Sequence, residues 1–233
     1  MARIQILGPY NSGTNLIHKI LNSSSNEKIS IGPEGSTFFW KHNFQFKKIF
    51  KFIKKNKDVL FICMYRDIFQ WINSIFKYNY GVEGMPNHIY SRNKIIRVSS
   101  KKNTGNPLQL HKPCRVNGYY FRDLIHLHKF YLFNYLKLIT RFENVICISY
   151  SNLLLPNRFN YLSEKLIKFN ITLNKINLEK IIQKPAKAHG DPVKNIEQAI
   201  EKNKNINNKF SEKDLKYIKK RIDHKLIDFF MKQ

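Results

Sequence analysis

Cysteine is scarce in this chain and poorly placed for chemistry. Cys63, Cys114 and Cys147 are odd in number and far apart, and no Cys-x-x-Cys pair exists. A zinc ribbon and a disulfide scaffold are therefore both excluded. Cys63 and Cys147 lie in apolar runs and are expected as buried core thiols. Long apolar runs are also missing: no stretch of eighteen apolar residues occurs, so no membrane-spanning helix is expected. The N-terminus, Met-Ala-Arg-Ile-Gln-Ile, lacks the charged and apolar regions of a secretory signal, which predicts a soluble cytoplasmic protein. No internal repeat is visible. No Ser/His/Asp nucleophile motif is present, nor a carboxylate pair suited to sugar hydrolysis.

Acidic residues are few, with 16 Asp and Glu against 41 Lys and Arg, a formal charge of +25. One reading is a polyanionic partner: nucleic acid, an acidic polysaccharide, a membrane surface or a charged nucleotide. The other is compositional, because Lys, Asn and Ile are used heavily throughout, as in an AT-rich coding sequence. The lysines are scattered over every segment, and no helix-turn-helix, RRM or zinc pattern accompanies them. Nucleic-acid binding is therefore a lesser alternative. Either way the surface is strongly positive.

The 233 residues, 42% of them hydrophobic, suffice for one α/β domain with a full core. Apolar periodicity predicts a strand at 3–8 and a helix at 14–22. An extended stretch over 28–42 follows, with a Gly-Pro turn at 32–33, and then a basic amphipathic helix at 44–56. Residues 58–65 carry the strongest buried-strand signal, and a helix continues through Tyr78. A helix over 118–141, a strand over 144–150, a helix over 158–169 and a final helix from Ser211 complete the pattern. The stripe Leu215, Ile218, Ile222, Leu226, Phe229 marks that last helix, and Ser211 with Asp214 resembles a capping box. His18 and His128 read as structural histidines, and His126-x-His128 has the wrong spacing for one helical face. Strands alternating with helices imply a single-domain α/β fold with a central, mostly parallel sheet flanked by helices. Ligands of such sheets bind at the carboxyl ends of the strands.

Two of those ends carry candidate chemistry. After the first strand comes Gly8-Pro9-Tyr10-Asn11-Ser12-Gly13-Thr14-Asn15, leading into a helix. A strand that breaks through small residues into a helix aims free N–H groups and the helix dipole at an anion. Gly8-x4-Gly13-Thr14 has Thr14 where a P-loop has its lysine, so the loop suits a phosphate-like group without being a Walker loop. At the end of the central strand stands Arg66, with Ser74 eight residues on, a pair suited to gripping a second phosphate. Between them lies Trp40-Lys41-His42, which supplies a candidate general base.

In these segments the chain resembles the sulfotransferases that use 3′-phosphoadenylyl sulfate. The resemblance rests on the order strand, Ser12-Gly13-Thr14, Lys41-His42, strand, Arg66-x7-Ser74. It covers residues 4–78, and more weakly 144–155, where Tyr150-Ser151-Asn152-Leu153 matches a Tyr-Glu-Asp-Leu pattern at its first and last positions. Lys187 to Lys194, around Gly190-Asp191, is a loose echo of a late basic loop. Asn11 stands where many relatives have Lys or Arg, and Leu16 where many have an aromatic residue.

The resemblance implies a P-loop-like sulfotransferase fold. It also implies a donor, 3′-phosphoadenylyl sulfate, held by Asn11, Ser12, Gly13, Thr14, Asn15, Arg66, Ser74 and Lys187, with adenosine 3′,5′-bisphosphate as product. His42 would be the base and Lys41 or Ser12 the group that stabilises the leaving oxygen, and no metal is required. The acceptor is unidentified, with a sugar or an acidic molecule as candidate class. It is expected to dock on residues 79–120, which hold Tyr80, His88, Tyr90, Arg92, Arg97, His111, Arg115 and Tyr119. A P-loop-like nucleotide kinase is the enzymatic alternative, disfavoured by the missing lysine.

Overall fold

A computed structural model describes residues 2–24, 29–77, 90–91, 114–116, 119–154, 156–173, 181, 197–198, 200–201 and 210–231. The chain divides into two compact units. The first comprises Met1–Arg66, Phe133–Glu201 and Gln233, and the second Asp67–Leu132 and Lys202–Lys232.

The first unit is built on a four-stranded, all-parallel sheet. Its strands are β1 (Arg3–Leu7), β2 (Ser30–Ile31), β3 (Val59–Tyr65) and, from later in the chain, Val145–Ser149, in the spatial order β2-β1-β3-last. The seven-residue run of β3 is buried along its whole length, as a central parallel strand requires. Helix α1 (Thr14–Ser24) covers one face. Its Ile17, Ile20 and Leu21 join Ile4, Ile6, Leu60, Ile62 and Met64 in one apolar cluster. Each such side chain contributes ~1.5–3 kcal/mol by leaving water. Helix α2 (Phe46–Lys55) packs on the opposite face, with Phe52 against Phe61 at 6.1 Å. The sheet is thus flanked by helices, the α/β architecture expected.

The strand order has a consequence for ligands. From β1 the chain passes through α1 to β2 on one side. It then returns through α2 to β3 on the other side of β1. Strand order therefore reverses between β1 and β3, and ligands of open parallel sheets sit outside the carboxyl ends of the strands at such a reversal. Gly8 and Arg66 follow those two strand ends.

Several elements differ from the sequence expectation. The stretch 28–42 is not continuously extended: β2 has only two residues, and Pro33–Gly35 forms a 3-10 turn. Gly35 there has φ 85°, and a Cβ on it would meet Ile6 Cδ1 at 2.7 Å, so glycine fits where a side chain would not. The helix placed at 118–141 begins later. Tyr119–Phe121 is a strand and α4 is Leu124–Ile139, because the Asp123 carboxylate accepts from His126 N–H at 2.7 Å and caps the helix. Helix Pro156–Ile167 starts with its proline at the first position, where no N–H is needed. The last helix is two, Glu212–Arg221 and His224–Met231. Ile222 turns extended (ψ 150°) and Asp223 accepts from Leu226 N–H, starting a new helix. At Ser211 the capping pattern is present, its hydroxyl accepting from Asp214 N–H at 3.2 Å.

The second unit holds α3 (Ile68–Lys77), the first part of α4 and the two C-terminal helices. It also holds a three-stranded antiparallel sheet of Tyr90–Ser91, Cys114–Val116 and Tyr119–Phe121. Its buried anchor is Asp123, which accepts from Tyr217 Oη at 2.9 Å and pairs with Arg221 at 3.2 Å. Burial and the bond to Asp123 push the Tyr217 phenol up to about 12. His128 is buried with its ring 5.3 Å from that of Trp71. In the first unit, Cys63 and Cys147 are buried neighbours in register on adjacent strands. Burial, with the Cys63 thiol beside it, pushes the Cys147 thiol well up, so it stays protonated and inert.

One buried polar residue organises the first unit. Gln5, fully buried in β1, accepts from Phe38 N–H at 2.7 Å and Phe39 N–H at 2.8 Å. Its Nε2 lies 2.7 Å from Ile6 O, 3.0 Å from Phe39 O and 3.1 Å from Gly35 O. Gln5→Ala strands buried backbone groups, and is expected to lower unfolding free energy by ~2–4 kcal/mol. Urea denaturation would measure this, with an unchanged m-value marking a stability effect alone.

Candidate functional site

The turn after β1 is tightly bound to itself. Ser12 Oγ donates to Pro9 O at 2.8 Å, and Gly13 O accepts from Leu16 N–H at 2.9 Å and Ile17 N–H at 3.1 Å as α1 begins. Two residues are left-handed, Asn11 at φ 60° and Gly13 at φ 96°. Asn tolerates that region through its short polar side chain, and Gly pays no Cβ penalty there. A Cβ on Gly13 would also lie 2.6 Å from the Tyr150 ring, and one on Gly8 would strike Ser12 Oγ and, at 2.7 Å, Thr14 Cγ2. Ser12 and Thr14 are buried. The loop therefore ends in the first turn of α1, whose leading N–H groups have no intrahelical acceptor and sit at the positive end of the dipole.

Residues 36–42 bring a second segment to the same place. Gly8 N–H donates to Lys41 O at 2.8 Å, and His42 Nδ1 lies 2.7 Å from Gly8 O. With the proton on Nδ1 donated to that carbonyl, Nε2 is the basic nitrogen of the neutral ring. The His42 ring is buried between Tyr10, centroids 4.0 Å apart, and Trp40 at 5.1 Å. Lys41, with 4% of its surface exposed, donates from Nζ to Asn15 Oδ1 at 2.6 Å, in the first turn of α1. A buried ammonium at the positive end of a helix is electrostatically costly, and an anion bound there relieves both terms.

Arg66 is the third contribution. Its guanidinium lies 4.2 Å from the centroid of the Tyr150 ring, and Nη1 donates to Asn11 O at 3.4 Å. Asn11, Ser12, Gly13, Thr14, Asn15, Lys41, His42 and Arg66 are thus gathered around one turn. Ser74 belongs to the second unit, where it is buried on α3. Lys187 lies outside the described residues, as do most of residues 79–120. Tyr150 was matched to a sequence pattern, but its place under Arg66 and that of Trp40 beside the His42 ring were not foreseen. The signal for the former was an aromatic residue at a third strand's carboxyl end.

Among the described residues no group of three or more His, Cys, Asp or Glu side chains is arranged to hold a metal ion. No helix among them is long and apolar enough to cross a membrane. No family model matches the chain, and no curated protein or solved structure matches it.

Gly13→Ala combines a strained φ with a steric conflict at Tyr150. It is expected to lower stability by ~2 kcal/mol or more; sulfate or phosphate is expected to raise the melting temperature of the native chain and not that of the variant. Differential scanning calorimetry with and without the anion reads both effects.

Proposed function

We propose that the chain is a sulfotransferase of the P-loop-like type, moving a sulfuryl group from 3′-phosphoadenylyl sulfate to an acceptor hydroxyl or amine. The observation that carries this reading is the meeting of Lys41 and His42 with the Ser12–Thr14 turn at the β1/β3 reversal. The same segments carry the sequence resemblance. The donor's 5′-phosphosulfate would lie on the N–H groups of the turn, with Lys41 neutralising the bridging oxygen as it leaves. That assigns to Lys41 the charge which many relatives place at the position of Asn11. Arg66, over the Tyr150 ring, would meet the 3′-phosphate with its fork.

His42 Nε2 would take the acceptor proton as the acceptor oxygen or nitrogen attacks sulfur in line. The S–O bond to the phosphate breaks, and adenosine 3′,5′-bisphosphate departs with the electron pair. Catalysis is then mostly positioning and charge neutralisation. The acceptor is a sugar or an acidic molecule in this reading.

Adenosine 3′,5′-bisphosphate, at about a hundred times its dissociation constant, is expected to raise the melting temperature by about 5–10 °C. AMP, ATP with magnesium and a short DNA should do less, and Arg66→Ala should shrink the shift. Equal stabilisation by AMP would defeat the 3′-phosphate assignment, and selective stabilisation by ATP with magnesium would favour a kinase. A second variant isolates the base. His42→Ala should bind the bisphosphate as before, yet release it from the sulfated donor ~100- to 10,000-fold more slowly when phenolic and glycan acceptors are supplied.

A further inference from the structure

Helix α2 carries an uncompensated charge. Lys47, Lys48, Lys51, Lys54 and Lys55 are all exposed, no acidic residue interrupts them, and Phe46, Ile49 and Ile53 are buried beneath. The five ammonium groups follow about 12 Å of helix. Helix Glu212–Arg221 makes the useful contrast. Its exposed Lys213, Lys216, Lys219 and Lys220 share ten residues with Glu212 and Asp214, and its Arg221 is paired with Asp123. The acid nearest α2 in sequence, Asp58, is held by Arg3.

The chain just beyond α4, in the same unit, widens the positive face. Phe46 packs on Tyr135 at 5.9 Å, and beyond them the exposed Arg141 lies 5.8 Å from the Phe50 ring centroid.

We propose that the outer face of α2, together with Arg141, is an electrostatic docking surface for anionic lipid bilayers. About four to eight basic residues clustered on one helix face suffice to hold a protein at an acidic leaflet. The apolar face of α2 is used by the core, so the helix lies on the headgroups and does not insert. Lysine ammoniums are hydrated point charges that need breadth of negative charge and no fixed geometry. Nucleic-acid readers add Arg or amide forks for base edges, or stacking rings in a groove, and the outer face of α2 has neither. This assignment is independent of the transferase reading.

The test is sedimentation of the full chain with vesicles of phosphatidylcholine, alone or with about 30% phosphatidylserine. Binding is expected to the acidic vesicles only, at about 0.1 M salt and not at about 0.5 M. The triple variant K48Q/K51Q/K55Q, altered only at exposed positions, should partition ~100-fold more weakly. The variant K213Q/K216Q/K220Q loses the same charge and should stay within about threefold of the native chain. Equal weakening by both triples would overturn the proposal in favour of diffuse net charge, and absence of binding to acidic vesicles would overturn it outright. Tighter binding to a DNA duplex than to vesicles, lost in K48Q/K51Q/K55Q, would reassign the face to nucleic acid.

Discussion

Everything at the candidate site depends on how the free edge of β1 is satisfied. β2 pairs with that edge only at Arg3 and Ile4, leaving the remainder of the strand without a neighbour on that side. Buried backbone groups left unpaired cost as much as lost hydrogen bonds, so something must take the place of a longer strand. Residues 36–42 do so. The Thr37 hydroxyl donates to Ile4 O, the Gln5 carboxamide takes Phe38 and Phe39, and Gly8 N–H reaches Lys41 O. Lys41 and His42 arrive at the strand's carboxyl end because the segment that carries them takes up the Ile4 carbonyl and the Gly8 N–H beyond the short β2 pairing. A structural requirement of the sheet thereby delivers an ammonium and an imidazole to the turn before α1.

That dependence explains what could and could not be read from the sequence. Strands β1, β3 and Val145–Ser149 and the helices α1 and α2 were legible because each is a single apolar run or stripe, and periodicity reports those directly. So was the anion-suited turn, whose small residues sit between a strand and a helix. Residues 28–42 were not, since their path is set by bonds to Gln5, a residue distant in sequence. The one hint was a glutamine inside the apolar run Arg3-Ile4-Gln5-Ile6-Leu7, because a buried amide needs partners. The breaks before α4 and inside the C-terminal helical stripe were missed for a related reason. In both places the apolar period runs straight through, and a single aspartate, Asp123 or Asp223, overrides it by capping a new helix. Tyr150 could be matched to a pattern, but its stacking on Arg66 is a tertiary fact with no local signature.

The excess of positive charge has more than one origin, and burial separates them. Most lysines of the described helices are exposed, where water screens each of them. Lys41 is different: at 4% exposure it has given up hydration, and its ammonium bonds a neutral amide oxygen at a helix N-terminus. Arg66 is half-buried, with its guanidinium carbon 4.2 Å from the centroid of the Tyr150 ring. Two cations brought to one loop at a helix N-terminus make that loop a favourable place for negative charge. In the proposed reaction, a donor bearing negative charge at two separated points would meet both cations, where a single phosphate would meet one.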